Sequence, residues 1–206
     1  MFGAGNRPED ETGAREMVYA SKTRVFTVEM EPDCKKWLAW AAKNGVNEKV
    51  QAFLAANPGA LLEKPSTGTA CPREWVNLSR ALAQGIPVRE AAHGTVRGCH
   101  EAEFCAFYRD STLCPTVEEI VNGTAKKPSK VHLAAYSAVL ALALRDDEKV
   151  REHFPVVCRW IAEQSAECEA AFAKYAASVL PVKVLMDERC RSALAETAKK
   201  VGVWAE

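Results

Sequence analysis

Several side chains in this 206-residue sequence carry chemistry beyond packing. Arg73 follows Pro72 where a helix is predicted to start, two residues before Trp75. A cation there opposes the helix dipole, so another interaction must retain it, either contact with a phosphate group or stacking on an aromatic ring. Asn6 lies between Gly5 and Pro8, where its amide can cap a turn. Arg24 stands just before a β-branched run, and Arg15 is a second basic group on the segment before it. His93, Cys99, His100, Cys105 and Cys114 are the residues with metal-ligand chemistry. Structural zinc sites use two close ligand pairs. This spacing does not supply them, and Cys105 shares a predicted helical face with Phe104 and Tyr108. No metal site is expected. No Ser or Cys is placed beside His93, His100, His132 or His153 to make a hydrolytic triad.

The elements that must position these groups are mostly helical. One strand is predicted, Arg24–Met30, ended by Pro32. Pro32-Asp33 opens a helix with Trp37, Trp40 and Ala41 on one face, closed by Asn44-Gly45. Val50, Phe53 and Leu54 repeat at helical spacing up to Asn57-Pro58-Gly59. A polar loop, Lys64 to Ala70, leads to Pro72 and a helix carrying Trp75, Leu78 and Leu82. Another helix follows Gly98 with Phe104, Phe107 and Tyr108 as its stripe. A short helix is expected between Leu113 and Ser129. Val131–Leu144 is apolar nearly all round, the mark of a buried helix. Asp146-Asp147 then opens a helix running to about Ser165, bent at Pro155. Met186, Cys190, Ala193, Thr197 and Val201 form the last stripe.

Bulk properties narrow the class. Acidic and basic residues balance at 27 each, which argues against a broad nucleic-acid footprint. No apolar run approaches the roughly 20 residues of a membrane span, and the N-terminus lacks signal-peptide character. A cytoplasmic protein with no membrane partner is expected. Eight cysteines without a CxxC pair are expected to be reduced thiols that pack as small apolar residues.

The order of these signals resembles the C-terminal half of AAA+ ATPases of the MoxR-like group. Its carriers are Gly5-Asn6-Arg7-Pro8-Glu9-Asp10, the stretch Ser21-Lys22-Thr23-Arg24-Val25-Phe26, and Cys71-Pro72-Arg73-Glu74-Trp75. Gly94-Thr95-Val96-Arg97-Gly98 with Glu103-Phe104 looks like the turn and helix after that group's lid, and Leu180-Pro181 to Arg191 like its closing helix. The resemblance implies a mainly α fold: a helical lid-type bundle with a short N-terminal α/β remnant of an AAA+ core. It divides the chain into residues 1–31 as that remnant, 32–92 as the lid, and 93–206 as a C-terminal helical extension. The apolar stub Met1–Ala4 would be the end of the sensor-1 strand, with the first half of the core upstream.

By the same resemblance Asn6 is the sensor-1 residue that orients the attacking water, and Arg24 is the arginine finger reaching a neighbouring subunit's nucleotide. Arg73 is then the sensor-2 residue on the γ-phosphate. Their ordinary alternatives are a turn-capping Asn and surface arginines. The cofactors implied for an intact family member are ATP and Mg2+. The partners implied are other AAA+ subunits in a homo-oligomeric ring and a client protein, often one with a metal-binding adhesion-type domain. The sequence departs from the family in having no GxxxxGK[ST] stretch. Ser66-Thr67-Gly68-Thr69-Ala70 lacks the lysine, and Gly94–Gly98 is followed by Cys99. The chain alone is therefore expected neither to hold ATP tightly nor to cleave it. The alternative is a non-catalytic helical module that binds a protein partner; a redox or metal protein rests on cysteine count alone.

Overall fold

The computed structural model describes residues 18–64, 67–127, 133–146, 152–180 and 182–201. Local sequence rules account for most helix boundaries. After α1 (Tyr19–Lys22), Asp33 caps α2 (Cys34–Lys43) by accepting the Lys36 amide at 3.2 Å. Gly45, at φ 65°, lets the chain leave α2. Asn47 caps α3 (Glu48–Ala56), and Pro58 opens a 3-10 turn, Pro58–Leu61. Pro72 stands at the start of α4 (Pro72–Ala83), where its missing N–H costs nothing. α5 (Val88–Thr95) and α6 (Cys99–Ser111) follow, then α7 (Val117–Val121), which begins with a reciprocal capping box between Thr116 and Glu119. The second half comprises α8 (Leu133–Asp146), α9 (Phe154–Ala162), α10 (Ala166–Val179), α11 (Val182–Leu185) and α12 (Glu188–Val201).

Two apolar clusters hold these helices. In the first, Phe53 of α3, Trp75 of α4 and Phe104 of α6 meet with ring centroids 5.4–5.7 Å apart. Leu38, Ala41, Val50, Leu54 and Leu78 close around them. In the second, α8 packs on α10 and α3, and Leu140, Leu144, Phe154, Ile161 and Phe172 are buried together. α3 joins the two, since Ala52 belongs to the second cluster while Val50 and Phe53 belong to the first. Phe107 and Val179 pack against both. Gln51, also on α3, accepts a 3.0 Å hydrogen bond from buried Arg145 of α8.

The chain is mainly α, as expected, but no α/β remnant is seen among the described residues. Val25–Met30 forms neither helix nor strand, and Phe26 and Met30 are 93 % and 89 % exposed. A strand is defined by its hydrogen-bonded neighbour, and no described segment provides one. The Met1–Gly5 stub and Asn6 lie outside the described residues.

Other expectations need correction. Trp40 is 46 % exposed, and the buried stripe of α2 is Leu38 and Ala41 with Trp37 at its edge. At about 100° per residue, Trp40 points roughly 160° away from Leu38. Pro155 does not bend a helix; it sits in the first turn of α9, which begins at Phe154. Gly94 and Thr95 are the end of helix α5 and not part of a turn. The expected closing helix from Leu180 to Arg191 is divided into α11 and α12 by Met186-Asp187.

Candidate functional site

Arg73 lies in the first turn of α4, exposed, two residues before a tryptophan with no exposed surface. Trp75 donates its indole N–H to the Ala60 carbonyl at 2.9 Å and packs on Phe53 and Phe104. The turn that carries Arg73 is thus fixed, while the guanidinium projects from it. Among the described residues nothing pairs with that guanidinium. The aromatic stacking that would explain it is not seen there either: the cation over a ring is Lys49, 4.3 Å from the Tyr108 centroid.

The approach to α4 is heavily tied down. Glu63 and Ala70 hold each other twice: the Glu63 amide donates to the Ala70 carbonyl at 2.8 Å, and the Ala70 amide donates to Glu63 Oε2 at 3.2 Å. The Glu63 side chain is 5 % exposed. Its second oxygen, Oε1, accepts no hydrogen bond and lies 3.6 Å from His100 Nε2. His100 Nδ1 meets Glu103 Oε2 at 2.9 Å, so the ring stands between two carboxylates. Next to it, His93 Nδ1 is 3.1 Å from Glu101.

The two glycine stretches that lack a phosphate-loop pattern meet each other beside this carboxylate. Gly68 and Gly98 form an antiparallel bridge, the Thr69 amide donates to the Arg97 carbonyl at 2.8 Å, and the Thr69 hydroxyl donates to the Thr95 carbonyl. Gly98 has φ 130°, which disfavours any residue with a side chain. A Cβ on Gly98 would stand 2.6 Å from the Thr67 carbonyl oxygen, and one on Gly68 would strike the Glu63 carboxylate. Both glycines are there for close approach.

The sequence-derived candidates do not come together in the described residues. Arg24 is exposed in the turn after α1, outside both clusters, and nothing described pairs with it. Asn6 lies outside the described residues. Glu63 escaped sequence reasoning altogether. A single acid at the edge of a polar loop reads as solvated, and its one available signal was the nearness of Gly68.

Seven of the eight cysteines are buried or half-buried, and Cys99 is exposed. All eight are free. Cys158, Cys168 and Cys190 are buried, and desolvation raises the Cys34 thiol to about 11 and the Cys114 thiol to about 12. Such thiols are poor nucleophiles at neutral pH. Among the described residues no three His, Cys, Asp or Glu side chains converge as metal ligands, and no helix is long and apolar enough to cross a membrane. Comparison with protein-family models, with curated proteins and with solved structures found no match.

Proposed function

We propose that this chain is the C-terminal portion of a MoxR-like AAA+ ATPase, supplying sensor and lid elements for ATP-dependent remodelling of a partner protein in the cytoplasm. The observation that carries the reading is Arg73: a guanidinium that opposes its own helix dipole, exposed on a turn fixed by the burial of Trp75, within the Pro72-Arg73-Glu74-Trp75 motif. Phosphate contact explains such a residue. Arg24 and Asn6 are assigned the finger and sensor-1 roles from their motifs alone. The chain's own residues do not make a nucleotide site: with no phosphate-binding loop in the sequence, ATP and Mg2+ have no cradle here, and no hydrolytic step is routed through this chain by itself.

Mixing the purified chain with a MoxR-like half that carries the phosphate loop tests the proposal. ATPase activity is expected only in the mixture, and Arg73→Ala should lower its kcat by about a hundredfold or more, the scale of losing one preorganised charge from a transferring phosphoryl group. A mixture no more active than the core half alone, or turnover indifferent to Arg73→Ala, overturns it. Exposed Val25, Phe26, Val28 and Met30 favour the second reading, a helical module that binds a protein without catalysis. That reading predicts the inert result.

A further inference from the structure

We infer that Glu63, held between His100 and the Gly68–Gly98 contact, is a positioning residue for Arg73. The inference rests on the phosphate-contacting role proposed for Arg73. Only two residues, Cys71 and Pro72, separate Ala70 from Arg73. Whatever fixes Ala70 therefore fixes the direction in which α4 leaves. Glu63 does so with both its main chain and its carboxylate. Thr69 anchors the neighbouring residue to the Arg97 and Thr95 carbonyls, and Trp75 anchors the far side of the turn to Ala60. The carboxylate is the expensive member of this set, because a buried acid with an unbonded oxygen costs stability. Apolar packing alone would be cheaper. The His100 ring lies 3.6 Å from the unbonded oxygen and meets Glu103 with its other nitrogen, so the start of α6 is brought against the approach to α4. A buried carboxylate that holds Ala70, three residues from an exposed arginine on a fixed turn, is what a positioning device requires.

Two measurements test this. In the chain alone, hydrogen exchange should quicken at the amides of Thr69, Ala70 and Trp75, which are bonded to Arg97, Glu63 and Cys71, in Glu63→Ala, while α8 and α10 keep their protection. In the reconstituted ATPase, Glu63→Ala should lower kcat about fivefold or more with KM little changed. The Arg73→Ala/Glu63→Ala double variant should be no slower than Arg73→Ala, because a residue acting through Arg73 has nothing left to position. Glu63→Gln and His100→Gln, which preserve volume, replace Glu63→Ala in the same cycle if the alanine variant unfolds. Multiplying effects in the double variant, or faster exchange spread evenly over the molecule, would make Glu63 a general structural residue and overturn the inference while leaving Arg73 in its role. Turnover indifferent to Arg73→Ala overturns both.

Discussion

Trp75 shows how one residue carries several levels of the structure. Its ring completes the aromatic cluster with Phe53 and Phe104, its N–H satisfies the Ala60 carbonyl, and its place in the chain fixes the turn bearing Arg73. Replacing it with alanine leaves a large cavity and an unpaired carbonyl. Trp75→Ala should cost about 3–5 kcal/mol in urea unfolding, the usual range for a buried aromatic. Trp40→Ala, on the exposed face of α2, should cost less than about 1 kcal/mol. Equal losses would mean that the two tryptophans share one packing environment. The contrast also marks what the sequence discloses at this scale. Helical spacing identifies Trp75, Leu78 and Phe104 as core. It does not separate Trp37 from Trp40 until Leu38 and Ala41 are known to be the buried pair, because three residues of helix leave the two tryptophans only about 60° apart. Still less can it reveal Glu63, whose burial depends on Gly68, Ala70 and His100 arriving from later in the chain.

Among the elements, legibility follows punctuation. Asp33 and Pro72 mark helix starts that the structure reproduces, because capping and proline geometry act within one turn, whereas the cap at Asn47 and the 3-10 turn opened by Pro58 are seen only in the structure. The helix α5 was not foreseen, since Gly94 and Gly98 dominate its end, and α10 gave no boundary signal beyond Ser165, whose hydroxyl accepts the Cys168 amide at 3.1 Å. The predicted strand failed for the opposite reason: β propensity is local, whereas a strand needs a partner. The cap of α2 gives an element-scale prediction. The Lys36 amide hydrogen bond holds the Asp33 carboxyl below its ordinary value. A lowered folded value means that the ionised form stabilises α2 above the unfolded carboxyl's titration, and that this is lost as pH falls through the folded one. Trp37 and Trp40 fluorescence should therefore change in an acid step that is missing in Asp33→Ala. Persistence of the step in that variant would assign it to another carboxylate.

At the scale of the whole molecule the important boundary lies near Asp33. From Cys34 onward the chain is built into the clusters: the Cys34 thiol donates to the Leu54 carbonyl at 3.5 Å, and Leu38 is buried. Before it, Val25, Phe26, Val28 and Met30 are exposed apolar side chains outside both clusters. An apolar segment of this kind with free backbone groups recruits other chains, and a net charge of zero supplies little repulsion to oppose it. The helical body does not draw on that segment for its core, and helical contacts form locally enough to fold without it. Removing residues 1–30 should therefore reduce aggregation, leave the helical circular dichroism per residue undiminished, and shift Tm by no more than about 3 °C, roughly what 1 kcal/mol produces in a chain of this length. The deleted protein should also keep the buried Trp75 environment, visible as unchanged tryptophan emission after correction for light scattering. If deletion instead melts the helices, the first thirty residues are an integral part of the fold, the cores described above are incomplete without them, and the proposal that this chain is a portion of a larger ATPase is overturned.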